Sequence, residues 1–204
     1  MFFKLYYGVF FLNKNGSNSK ILQNINLLRV MHKAYFMNFF DVIQKRYSVR
    51  DYKDKEVKQE LIDKILTAAD LAPTASNAQP FKIFIAKTKG NEEALQKVYG
   101  RAWFTKAPFI LCVCGIPEKA WKRQDGKNYC EVDSTIVADH IILAATALGL
   151  GTCWIANFNE DEIRKFFNIP RYMVPEIITP LGYANDSPKE KVRKDINDLV
   201  EFKE

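Results

Sequence analysis

The sequence lacks most of the short motifs that announce a chemistry. No G-x-G-x-x-G, P-loop, G-x-S-x-G or H-E-x-x-H occurs in its 204 residues. This excludes the usual dinucleotide fingerprint, the phosphate-cradling loop, the nucleophile elbow and the zincin helix. Histidine is scarce, with His32 and His140 alone, so no histidine-based metal site is expected. His140 shares a helical face with Ile136 and Ala144, which reads as a packed core histidine. The four cysteines, Cys112, Cys114, Cys130 and Cys153, form neither a paired framework nor a C-x-x-C motif. Three lie in apolar runs, where a free thiol behaves as a small hydrophobe, so reduced buried cysteines and a cytoplasmic location are expected.

Acidic residues are missing from one region altogether. Residues 1–36 carry Lys4, Lys14, Lys20, Arg29 and Lys33 and no Asp or Glu. Removing those five from 30 basic residues leaves 25 against 24 acidic, so the rest is close to neutral. The formal charge of +6 is therefore mostly a property of the front end, and no nucleic-acid partner is expected. The apolar stretch Leu5 to Leu12 is too short to span a bilayer, and no small-residue cleavage site follows closely. Residues 1–36 read as an N-terminal extension upstream of a functional start at Met37, a surface anchor being the alternative. No stable membrane association is expected.

With 48% hydrophobic and 26% charged residues, the chain has the composition of an ordinary globular domain. After Met37 the pattern predicts one domain over 37–204. A short helix follows Asn38, with Phe39, Phe40, Ile43 and Tyr47 near one face, and "VKQELIDKILTAADLA" is a second helix stopped by Pro73. "FKIFIAK", "PFILCVCG", "TCWIA" and "VPEIITPLGYA" read as strands, while "EEALQKVY", residues 131–148 and "NEDEIRKFF" read as helices. The predicted class is α+β, with a long central helix on a mixed, mostly antiparallel sheet flanked by helices.

Three stretches carry the chemistry. In "KRYSVRDY" an extended backbone turns Arg46, Ser48 and Arg50 to one side, two guanidiniums and a hydroxyl suited to a phosphate. Lys191 and Arg193 repeat the spacing in the tail. "LAPTASNAQPF" places Ser76, Asn77 and Gln79 among small residues, able to read a ring edge that alternates C=O and N–H. "GLGTCWIAN" brings glycines and then a polar Asn157 onto a strand. The loop 116–130 holds Trp121, Lys122, Arg123 and Tyr129.

Taken in order, these stretches resemble the FMN-dependent nitroreductase family over residues 37–204. "RYSVR" is similar to that family's opening, "APTASNAQPF" and "GLGTCWIANF" to its internal segments, and "PLGY" with "KVRKDINDLVEF" to its close. The resemblance implies that Arg46, Tyr47, Ser48, Arg50 and Arg193, assisted by Lys191, hold the FMN phosphate and ribityl chain. It implies Ser76, Asn77 and Gln79 along the flavin and Trp154, Ile155 and Ala156 beside its ring, with a backbone N–H near N5. It further implies a homodimer with FMN at the interface, and a substrate lid formed by Trp121, Lys122, Arg123 and Tyr129. The chain is shorter than the larger members there, with no room for extra helices over the substrate. The expected activity is ping-pong transfer of electrons from NAD(P)H to a small acceptor such as a nitroaromatic or quinone. No side-chain catalyst and no metal are expected. The alternatives are a non-catalytic flavin-binding sensor and a phosphate-binding protein without flavin.

Overall fold

A computed structural model describes residues 37–203; the expected extension, residues 1–36, lies outside the described residues. Helix α1 (Phe39–Lys45) starts where expected, because Asn38 Oδ1 accepts the Asp41 N–H at 3.0 Å. Its apolar side is largely open. Val42 is buried, whereas Phe39, Phe40 and Ile43 are exposed, since nothing in the described chain covers that face. Residues 46–52 run extended, pinned by isolated bridges from Ser48 to Thr152 and from Tyr52 to Ala184.

Helix α2 (Gln59–Asp70) buries Ile62, Ile65 and Ala69, a helical spacing, and ends short of Pro73. Strand β1 (Phe81–Lys87), helix α3 (Glu92–Val98), strand β2 (Phe109–Gly115) and helix α4 (Cys130–Ala147) follow. Strand β3 (Gly151–Thr152), helix α5 (Glu160–Phe167) and strand β4 (Val174–Gly182) complete the domain. The sheet has the order β1-β2-β4-β3 and every ladder in it is antiparallel. The parallel element of the predicted mixed sheet is a single bridge, Ser48 to Thr152.

Strand β2 is buried on both faces, which is why its sequence is continuously apolar. Leu111 and Val113 meet Ile65, Ile141 and Ile177 on the side of α2 and α4. Ile110, Cys112 and Cys114 meet Leu95, Ile163 and Ile178 on the side of α3 and α5. Helix α4 is apolar on most of its surface because the sheet and α2 cover it, while Glu131, Thr135 and Asp139 are exposed; Gly149 ends it at φ 76°, a left-handed position suited to glycine. All four cysteines are free and buried.

The strand expected at "TCWIA" is shorter than its sequence pattern. Pro180 has no N–H to offer, and the Cys153 N–H goes to Thr179 Oγ1 at 3.2 Å instead of a ladder carbonyl. Pairing resumes only at Ile155 with Ile178. This interruption leaves Trp154 and Ala156 exposed.

A bulge in the β2–β4 ladder, where Val113 faces Ile177 and Cys114 faces Pro175, leaves Glu176 as the extra residue. Burial raises its carboxyl above the ordinary value, and the charges of Glu131 and Glu160 push it further the same way. The folded state thus holds the proton more tightly than the unfolded chain, so this group's contribution to stability is lost as pH rises above about 4.5. Glu176→Gln should raise the thermal midpoint at pH 7 and flatten its decline with rising pH. A set of melts across that range checks it; an unchanged slope contradicts it.

Candidate functional site

Alternation along the extended segment sorts its residues as the sequence predicts. Tyr47 and Val49 pack inward with Ala107, and Arg46, Ser48 and Arg50 all lie near the Cys153 thiol; the alternation ends there, since Tyr52 also packs inward. Asp186, far away in sequence, holds the segment in place. Its Oδ2 accepts the Arg50 N–H at 2.8 Å, and its Oδ1 and main-chain carbonyl accept the Tyr47 hydroxyl at 3.0 and 2.9 Å. Burial, and then the Asp186 hydrogen bond, push the Tyr47 phenol up to about 12. Tyr47 is therefore a brace for the segment, its hydroxyl already committed.

The positive charge beside it is unmatched. Lys191 Nζ donates to the carbonyls of Ile43, at 3.1 Å, and Gln44 at the C-terminal end of α1. Burial lowers the Lys191 amine, and the nearby charges of Arg46 and Arg193 lower it further. Arg193 Nη1 donates to the Val192 carbonyl at 2.8 Å, and Arg50 Nη1 reaches the Ser48 carbonyl at 3.4 Å. Among the described residues, no carboxylate forms an ion pair with Arg46, Arg50, Lys191 or Arg193. Asp186 is spent on the Arg50 main chain and the Tyr47 hydroxyl, so four cations that no carboxylate pairs among the described residues are a ready site for an anion.

Arg50 also lines a cleft of about 390 Å³, together with residues 153–157 and Tyr99, Gly100 and Arg101. That volume falls in the range usual for small-molecule sites. Trp154, Ile155 and Ala156 thus share a cleft with Arg50. Among the described residues the Ala156 N–H meets no acceptor, so it is free for a ligand. Burial pushes the Cys153 thiol up, while Arg50, the Ser48 hydroxyl and Arg46 pull it the other way. Cys153 was read only as a packing residue in the sequence, and Arg101 not at all. A larger cleft, about 530 Å³, is lined by Lys53, Lys55, Lys87 and Lys106 among others, and by none of the motif residues.

The small-residue loop is unusual in its backbone. Ser76, Asn77 and Gln79 have φ of 53°, 53° and 47°, left-handed values that cost non-glycine residues on the order of 1–3 kcal/mol each. Gln79 Nε2 donates to Asn77 Oδ1 at 3.0 Å, and Thr74 Oγ1 accepts the Gln79 N–H at 3.0 Å. The buried Asp133 accepts the Ala75 N–H at 2.8 Å from the first turns of α4.

The expected lid is a small, ordered hairpin. Lys122 bridges to Asn128, the Arg123 N–H donates to the Lys127 carbonyl at 2.9 Å, and Gly126 turns at φ 86°. Arg123 pairs with Asp125 and donates to the Tyr129 hydroxyl at 3.2 Å. Trp121 stacks edge-to-face on Tyr129, with ring centroids 5.1 Å apart.

These parts fall into two groups. The cationic cluster and residues 153–157 follow the C-terminal end of α4, where Ser48 bridges to Thr152. The 74–79 loop and the hairpin sit at its N-terminal end, through Asp133 and through Cys130 Sγ, which lies 3.8 Å from the Pro80 carbonyl oxygen. From Asp133 to Ala147 the helix rises roughly 20 Å. The described chain does not bring the two groups to one cleft.

The model of the nitroreductase family matches residues 43–103 and 91–183. A crystal structure of a nitroreductase family protein from Clostridium difficile 630 superposes with a TM-score of 0.75 at 36% identity, covering 82% of this chain and 99% of that one. An FMN-dependent nitroreductase from C. difficile R20291 gives a TM-score of 0.65 at 29% identity, covering 80% of this chain and 98% of that one. The FMN reductase [NAD(P)H] of Bacillus subtilis is 27% identical over 163 residues, 72% of this chain and 66% of its own. The fold and the site thus define an oxidoreductase. The chain belongs to the nitroreductase family.

Proposed function

We propose that two copies of this chain assemble so that the cationic cluster of one meets the 74–79 loop of the other, forming two composite FMN sites. The chain is an FMN-dependent NAD(P)H oxidoreductase, and the proposal concerns how its residues perform that work. The observation that carries it is the separation of the two half-sites to opposite ends of α4, each incomplete by itself. The apolar surface supports it too: Phe39, Phe40, Val192, Ile196, Leu199 and Phe202 are all exposed. A second copy would cover such a surface.

The residues present fit the cofactor. A phosphate would neutralise the unpaired cluster, with Arg46, Ser48, Arg50 and Arg193 donating to it and to the ribityl chain. Lys191 contributes charge while bracing α1. Ser76, Asn77 and Gln79 offer donors and acceptors to the edge of a flat ring, and the unpartnered Ala156 N–H would lie near its N5. When bound, FMN supplies the centre that accepts a hydride from NAD(P)H and passes electrons to an acceptor. The chain's own contribution is to hold donor and acceptor in turn over one face, a ping-pong order. Trp121 and Tyr129 of the hairpin would shield that face, and small nitroaromatics or quinones are the acceptor class.

We place the functional domain at 37–204 and the protein in the cytoplasm, a reading supported by its free, buried thiols. Among the described residues no helix is long and apolar enough to cross a membrane. The test is a visible spectrum of the purified protein under anaerobic conditions. A flavin band that NADH or NADPH bleaches and a quinone restores is expected. A colourless protein that takes up no added FMN contradicts the reading.

A further inference from the structure

Asp133 lies in the first turns of α4, and its side chain is 1% exposed. Its Oδ1 accepts the Ala75 N–H at 2.8 Å, while Oδ2 has no partner among the described residues. A buried carboxylate with one donor is an unfavourable arrangement for packing alone. The loop it touches explains its presence. The other hydrogen bonds of residues 74–79 are local: Asn77 N–H to the Thr74 carbonyl, Ala78 N–H to the Ala75 carbonyl, Gln79 N–H to Thr74 Oγ1. The Phe81 N–H at the start of β1 donates to the Gln79 carbonyl at 2.9 Å, so among the described residues Asp133 is the one hydrogen-bond partner that ties this loop to an element distant in sequence. Three of its residues hold left-handed backbone without a single glycine, a conformation that lasts only where surroundings impose it.

We infer that Asp133 is a positioning residue for cofactor recognition: through the Ala75 N–H it fixes the strained loop so that Ser76, Asn77 and Gln79 present their polar groups to the flavin edge. The inference rests on the FMN reading above. It makes the rigid central helix, rather than the loop's own sequence, the origin of the loop's geometry.

The hydrogen bond can be removed from either end. Asp133→Ala deletes the acceptor, and Asp133→Asn keeps an acceptor oxygen while removing the charge. Ala75→Pro deletes the donor with Asp133 untouched. Ala75 begins a 3-10 turn and Thr74 before it is extended at φ −131° and ψ 154°, a setting that tolerates proline. FMN affinity is read by fluorescence titration of apo-protein, with a thermal melt for each variant. Asp133→Ala and Ala75→Pro should each weaken FMN binding by about tenfold or more. Asp133→Asn should stay within about threefold of the parent, and the double Ala/Pro variant should lose little beyond either single change. Either single variant binding FMN as tightly as the parent overturns the inference, as do fully additive losses. An Asn variant as weak as the Ala variant overturns it too. If Asp133→Ala fails to fold cooperatively, Ala75→Pro alone decides. A parent protein that binds no FMN would instead reject the functional reading.

Discussion

Arg50→Ala should lose FMN about 10- to 150-fold more readily than the parent, because one charge-assisted hydrogen-bonding group is worth ~1.5–3 kcal/mol. The expectation follows from what Arg50 lacks. Its guanidinium has no carboxylate partner among the described residues, and its one side-chain hydrogen bond is a long one to the Ser48 carbonyl. Removing it therefore breaks no structural ion pair, and the unfolding midpoint of the apo-protein should barely move. Asp186, which holds this segment, bonds to the Arg50 main chain and not to its side chain. Arg50→Lys should recover part of the affinity, since a lysine restores the charge without the paired N–H fork. Equilibrium dialysis against free FMN measures the two affinities, and a thermal melt of the apo-protein checks the midpoint. An Arg50→Ala protein that retains FMN like the parent would remove this segment from the site.

Gly151→Ala should damage both fold and site. A Cβ there would stand 2.6 Å from Val49 Cγ2, 3.1 Å from Val49 Cβ and 3.2 Å from Val49 Cγ1. Val49 is 1% exposed and its N–H donates to the Thr152 carbonyl at 2.9 Å, so neither side has room to yield. Overpacking of this kind costs roughly 1–3 kcal/mol, a drop of about 2–12 °C in midpoint for a chain of this size. The strand that must move carries Ser48 and Arg50, so FMN affinity should fall with it. Val49→Ala in the same chain removes the two nearest methyl groups and should restore much of both losses. Failure of that rescue would show that the glycine serves some other purpose.

The motif stretches were legible because each depends on local spacing. Alternation put Arg46, Ser48 and Arg50 on one side, and the double-sided burial of β2 was written in an unbroken apolar run. The Asn38 cap and the Pro73 stop were equally local. What the sequence hid was long-range. Asp133 and Asp186 act on residues 58 and 136 positions away, from an unremarkable helix start and a polar loop. The left-handed backbone at 76, 77 and 79 had no glycine to announce it. Strand β3 was overread because Thr179 and Pro180, which interrupt its ladder, sit in a different strand. The apolar face of α1 is legible as helical spacing, but what covers it is not, since its proposed cover is a second copy.

Mixed dimers test the central claim, a composite FMN site, most directly. One chain carries Arg46→Ala with Arg50→Ala, and the other carries Asn77→Ala with Gln79→Ala. Each should bind FMN poorly alone. After unfolding and refolding together, the mixed dimers contain one site with both defects and one with neither. The account predicts that FMN binding returns at about parent affinity in one of the two sites of each mixed dimer. Mixed dimers that form but bind no more FMN than the two mutant homodimers would contradict it.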